Sequence, residues 1–144
     1  MSEFTIKKFP MWSVEIDDVE GATTGLYRVL ADAGADIDFS LCRPIGDKPG
    51  RAILFLAPIK GKEQEEAARQ ADFKPRPDVV GVQVQVPSRV GGCFRLTAAI
   101  AHANLTIWAL VTTVDGSRFT TVFALRSDKD ADEAVKVLHK VLDD

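Results

Sequence analysis

The chain has 144 residues, a formal net charge of −3 and a hydrophobic fraction of 46%, enough apolar material to build a core without disulfides or metals. No basic run or stripe is present, which argues against direct nucleic-acid binding, and no apolar run approaches the roughly 20 residues of a membrane helix. The charged N-terminus lacks the apolar region of a signal peptide, so the expected location is the cytoplasm, with Cys42 and Cys93 as free thiols buried like small hydrophobes.

Taken from the N-terminus, residues 4–9 are strand-like but belong to no obvious unit. Trp12, Val14 and Ile16 recur with a period of two, which predicts a strand with one buried face. After a short loop, Leu26, Val29, Leu30 and Ala33 fall on one face at helical spacing. Gly34 stands just past the helix end, where a left-handed backbone is wanted. A hairpin follows, with strands over 36–42 and 51–58 around a loop, 44–50, that is full of turn residues. Residues 62–71 predict a weakly amphipathic helix with Ala67, Ala68 and Ala71 as its buried side.

The same order then recurs. Val82, Val84 and Val86 alternate with Gln83 and Gln85, and Cys93, Leu96, Ile100 and Ala103 mark one face of a second helix. Asn104 takes the place of Gly34, being the other residue type that tolerates the left-handed position. Strands over 105–114 and 119–125 flank Asp115-Gly116, a tight-turn signal. Ala131, Ala134, Val135, Leu138, Val141 and Leu142 complete the copy with a clear apolar stripe. The segment from Gly21 to Gly34 matches that from Gly91 to Asn104 without a gap, so the chain carries an internal repeat.

Twofold repetition of β-α-β-β-α-β predicts the α+β class, as two ferredoxin-like βαββαβ modules in tandem. Each would pack helices on one face of an antiparallel sheet. The expected boundaries are 9–78 and 79–144, with 1–8 as an extra N-terminal segment. No strand follows the last helix to close the second copy. Residues 4–9 are expected either to fill that vacant edge or to pair with a partner chain.

The unit of strand, Asp/Ser-x-x-Gly, helix, Gly/Asn and strand, seen at 14–21 and again at 84–92 with the helices that follow, resembles the ACT domain family. The resemblance covers nearly the whole chain, in the manner of small bacterial proteins made of two such domains. Glu20 and Val90 stand where the family often has proline before the glycine. The resemblance implies a regulatory protein, not an enzyme, that binds an amino acid or similar small metabolite and forms a homodimer. A regulated protein partner remains open, as does the rival reading of a ligand-independent interaction module. The implied ligand positions are Asp18, Val19, Glu20 and Gly21 in the first loop and Ser88, Arg89, Val90, Gly91 and Gly92 in the second. Ile107 and Trp108, at the following strand, join them, although packing is the role that Trp108 fits better.

The chemistry of those loops is consistent with this. A helix's first turn carries unpartnered N–H groups suited to a carboxylate or phosphate. Asp18 and Ser88 are placed to cap the two helices, with or without a ligand. Asp17, Asp18 and Glu20 make the first loop acidic and Arg89 makes the second basic. A zwitterion between them would set its ammonium near the acids and its carboxylate near Arg89; solvated charges are the plainer alternative. His102 and His139 lie on different helices without companion ligands, so no metal is expected. No cofactor motif and no catalytic constellation is present, and Cys93 and His102 are too far apart on one helix to pair.

Overall fold

The structure, a computed structural model, describes residues 3–144. In chain order it contains β1 (Thr5–Asp17), α1 (Ala22–Asp32), β2 (Phe39–Pro44), β3 (Arg51–Ala57), α2 (Gly61–Gln70), β4 (Lys74–Pro87), α3 (Gly92–His102), β5 (Ala109–Asp115), β6 (Arg118–Leu125) and α4 (Asp128–Asp143). Strand pairing is antiparallel, and the class is α+β. The chain folds as two compact units, Pro10–Arg76 and Pro77–Asp144, the latter together with the N-terminal stretch through Phe9. Strands β1 and β4 are therefore each divided between the two.

In the unit Pro10–Arg76 the strand order is β2-β3-β1-β4. Trp12 faces Leu56 and Val14 faces Leu54 across the β1–β3 ladder. With Leu30 of α1, Ala68 of α2 and Phe73 they form the core. Each such large apolar side chain removed from water contributes about 1.5–3 kcal/mol. Only residues 74–76 of β4 belong here, at the outer edge, tied in by Arg76 Nη1 donating to Ser13 Oγ at 3.0 Å. Pro75 and Pro77 hid this part of β4 from the sequence reading. Proline is compatible with a sheet edge, where its missing N–H breaks no ladder.

In the other unit the order is β1-β4-β6-β5, with residues 5–9 of β1 as the strand beside β4. Val82, Val84, Leu96, Ile100, Phe123, Ala131, Ala134 and Leu138 make its core, and Phe4 and Ile6 pack against it. Of the two places open to residues 4–9, the vacant edge is the one they occupy. Thr5 Oγ1 donates to Gln85 Oε1 at 3.2 Å. Lys8 Nζ reaches both Asp128 and Asp132 of α4 at 2.7 Å, and Arg118 Nη1 donates to the Glu3 carbonyl at 2.9 Å.

The helix ends follow the repeat closely. At the end of α1 Gly34 has φ +85°, its N–H bonds to the Ala31 carbonyl at 2.9 Å, and the Ala35 N–H bonds to that of Leu30 at 3.0 Å. At the end of α3 Asn104 has φ +60°, with Asn104 N–H to Ala101 and Leu105 N–H to Ile100 at 2.9 and 3.3 Å. This is the Schellman pattern. Asp72, with φ +70°, completes a third example after α2, which the composition of that segment did not suggest.

Other expectations are corrected. Val29 is exposed while Leu26 and Tyr27 are half-buried, because the buried face of α1 centres on Leu30 and its neighbour Val29 points about 100° away. Cys93 is likewise exposed at the first turn of α3, and Cys42 is exposed on β2, so neither thiol is buried. Strands β2 and β5 begin three or four residues later than predicted, after the irregular stretches 36–38 and 105–108. The second hairpin turns at Gly116-Ser117, one residue on from Asp115-Gly116: Asp115 pairs with Arg118, and Gly116, at φ +61°, takes the first loop position. Positive φ at that place is what a type II′ turn requires.

Candidate functional site

Each of the two β-to-α loops is built by the same local device. Gly21 (φ +80°) and Gly91 (φ +87°) adopt the left-handed conformation immediately before α1 and α3, and each is the N-cap of its helix. Asp18 and Ser88 stand three residues too early to cap, and neither helix has a side-chain cap bond. The expected capping role is therefore corrected. The chain makes a turn first, with Ala22 N–H to the Val19 carbonyl and Gly92 N–H to that of Arg89. That turn uses up the residues between the supposed cap and the helix. A glycine cap leaves the first N–H groups of the helix, such as those of Cys93 and Phe94, without an acceptor from a capping side chain.

In the first loop the acids differ in their surroundings. Asp17 pairs with Arg51 at 2.8 Å, and Glu15, one turn of the strand earlier, pairs with Lys48 at 3.0 Å. Asp18, Val19, Glu20 and Gly21 are exposed, with the Asp18 N–H bonded to the Gly50 carbonyl at 2.8 Å.

The second loop borders a cleft of about 340 Å³ lying wholly within its own unit. Arg89, Val90, Gly91 and Gly92 line it, so four of the predicted residues come together there. Ser88, Ile107 and Trp108 are not among its lining residues. Ser88 is held by its N–H to the Ser117 carbonyl at 2.7 Å. Ile107 packs against the core of this unit. Trp108 lies in a bend just before β5 instead of within the strand, yet its N–H bonds to the Ala124 carbonyl at 2.9 Å, as that of Asp38 does to Ala57 in the first copy.

The cleft is lined as well by Glu3 and Phe4 from the N-terminal stretch and by Leu142 and Asp143 from the end of α4. Arg95, one turn into α3, donates from Nη2 to the Val141 carbonyl at 2.7 Å and so fixes the end of α4 to the start of α3. Arg89 makes no hydrogen bond or ion pair among the described residues. Glu3, Phe4, Arg95 and Asp143 escaped the sequence reading because three separate stretches of chain meet here. A pattern within one stretch carries no sign of the other two.

His139 Nδ1 lies 3.9 Å from Asp143 Oδ2, a carboxylate neighbour that the sequence reading overlooked at one-turn spacing. Among the described residues no three histidine, cysteine or acidic side chains are grouped to hold a metal. No described helix is long and apolar enough to cross a membrane.

Neither a family model nor a curated protein sequence matches the chain. Solved structures do match its fold. A protein from Bacteroides thetaiotaomicron, BT0572, superposes with a TM-score of 0.69 at 15% identity, over 96% of this chain and 90% of that one. The alpha and beta subunits of an aspartokinase give 0.67 at 14%, over 99% and 98%. The ligand-free regulatory subunit of aspartate kinase from Thermus thermophilus gives 0.64 at 16%, over 96% and 95%. At such identities the likeness is one of fold, and it runs along essentially the full length of this chain.

Proposed function

We propose that this chain is a regulatory protein of two ACT-type βαββαβ modules that binds an amino acid or a similar small metabolite. The observation that carries the reading is the end-to-end fold correspondence with a regulatory subunit, including its coverage of 95% of that subunit. The neighbour is a regulatory subunit and not a catalytic domain, which favours a role in control over one in catalysis. The repeated glycine-capped helix starts support a small-molecule role, since they present backbone N–H groups to whatever occupies the loops. Asp18, Val19, Glu20 and Gly21 are proposed ligand positions in the first module. In the second they are Ser88, Arg89, Val90, Gly91 and Gly92, with Ile107 and Trp108 at the next strand. Ligand binding would favour one arrangement of subunits or modules over another and thereby shift a population.

Thermal unfolding against a panel of the twenty amino acids is the test. A ligand at about 100 times its Kd adds roughly 2.7 kcal/mol, which moves the midpoint of a chain this size by several degrees. A selective shift for one or two amino acids is the expected outcome, and a flat panel would reject the reading.

A second reading, an interaction module that works without ligand, is favoured by exposed apolar groups on an edge strand. Leu110 and Val114 of β5 are 41% and 54% exposed, and β5 ends its sheet. Such an edge is a template for pairing with another chain, and a homodimer is the simplest use of it. Light scattering of the purified chain separates the cases: a ligand-independent dimer together with a flat amino-acid panel would favour this second reading.

A further inference from the structure

We infer that the groove between the edge of β4 and the face of α4 is a strand-acceptor site, which residues 4–8 of the same chain fill as a placeholder and which the same segment of a second copy of the chain can take over. The inference goes beyond the regulatory reading and does not rest on it.

The groove reads a pattern. Phe4, Ile6 and Lys8 alternate along the segment, so they share one face of it. Phe4 and Ile6 pack against the core of this unit. The Phe4 ring meets that of His139 edge-on, with 5.7 Å between centres. Lys8 Nζ lies 2.7 Å from the carboxylates of both Asp128 and Asp132. The stretch of α4 from Asp128 to His139 is about 16 Å long, and the extended segment from Phe4 to Lys8 covers about 13 Å. The segment therefore runs along the helix, its lysine at the acidic N-terminal end and its aromatic ring toward the other. On the sheet side β1 lies beside β4, and Thr5 Oγ1 donates to Gln85 Oε1 at 3.2 Å. Aromatic-x-aliphatic-x-lysine is thus recognised in one direction, by strand addition with side-chain pockets.

The occupant is built to be exchanged. Residues 5–9 are short and form an edge of the sheet of this unit. The Lys8 side chain is 32% exposed and those of Asp128 and Asp132 are 72% and 63% exposed, so water and salt weaken the pairing. The segment leaves the unit after Phe9, at Pro10, whose nitrogen has no N–H for a ladder bond. The groove belongs to Pro77–Asp144, whereas the chain that follows the segment belongs to Pro10–Arg76. Nothing in the groove distinguishes its own segment from that of another copy. Covalent linkage gives the resident segment an effective concentration in the millimolar range. Reciprocal exchange between two copies fills both grooves with the contacts already present in one chain, the low-cost route to a swapped dimer. Charge complementarity selects this occupant, since the acids of α4 match the lysine that the segment carries.

The test uses two full-length variants of reversed charge. Lys8→Glu sets an acid against the acidic groove. Asp132→Lys combined with Asp128→Asn makes the groove basic and keeps a positive charge out of the first turn of α4. In each variant the resident segment meets like charge, and each segment suits the groove of the other variant. Mixed, the two are expected to pair at least about tenfold more tightly than either pairs with itself, read by energy transfer between labelled copies. Hydrogen exchange at the amides of residues 5–9 should be fast in each variant alone and slow in the mixture. Phe4→Ala in both copies should remove the preference. A peptide spanning residues 3–9 should bind Lys8→Glu at least about tenfold more tightly than wild type, whose resident segment competes. If the basic groove prevents cooperative melting, the peptide titration of Lys8→Glu decides alone. Pairing through β5 is indifferent to these charges, so equal association of all three combinations overturns the inference. So does a peptide that binds Lys8→Glu and wild type alike.

Discussion

Backbone conformation at single residues shapes both helix starts. Gly91 has φ +87° and nothing within 4 Å of where a Cβ would stand, so its requirement is conformational and not steric. Gly92 has an ordinary backbone, and a Cβ there would meet the Phe119 ring at 3.7 Å, a normal contact. The two adjacent glycines should therefore respond differently to alanine. Gly91→Ala is expected to lose about 1–2 kcal/mol of stability from left-handed strain, and Gly92→Ala to stay within about 0.5 kcal/mol. Urea unfolding of the two variants measures the contrast, and equal losses would mean that packing, not φ, selects glycine here. Sequence alone placed Gly34 and Asn104 at left-handed helix ends, because the two copies share the position. It misassigned the caps, since Asp18 and Ser88 are good capping types and the intervening turn leaves no local signature.

Elements behave as the apolar patterns predict where a helix is long and its stripe continuous. In α4, Ala131, Ala134 and Leu138 are fully buried. Ser127 caps it by accepting from the Asp130 N–H at 3.0 Å. The N-terminal part of β1 is held to this helix by charge. Hydrogen bonds from Lys8 to Asp128, and next to Asp132, raise the Lys8 pKa above its ordinary value of about 10.5. A raised pKa means that the folded state holds the proton more tightly than the unfolded chain. The stabilisation is thus complete below pH of about 10.5 and is lost as pH climbs through the higher folded value. Melting of wild type and Lys8→Met should differ by a constant amount from neutral pH to that point, and converge above it. The difference should also shrink in high salt, as expected of an exposed pair. A gap that persisted above the transition would assign the Lys8 effect to its aliphatic stem.

At the scale of the whole molecule the repeat makes a quantitative statement. Leu30 and Ile100 hold equivalent places in α1 and α3, and both are fully buried, each in the core of its own unit. Leu30→Ala and Ile100→Ala should each cost about 2–5 kcal/mol, measured by denaturant midpoints at unchanged slope. A negligible loss at either position would show that the two copies are not equivalent cores. The α+β class and the places of the four helices were legible from the chain, because period-two and period-3.6 patterns are local consequences of burying one face. The expected pair of complete βαββαβ modules was not what formed, since six strands are present and β1 and β4 are long strands divided between the units. Two things were decided only by tertiary structure. One is the division of β1 and β4 between units, with residues 5–9 closing a sheet whose other strands begin some seventy residues later. The other is the cleft, where Glu3, Arg89 and Asp143 come from the start, middle and end of the chain. Local pattern reports which face of a segment is buried. It cannot report which distant segment covers that face, because the pairing is settled by complementary edges and charges that meet only after the chain has folded.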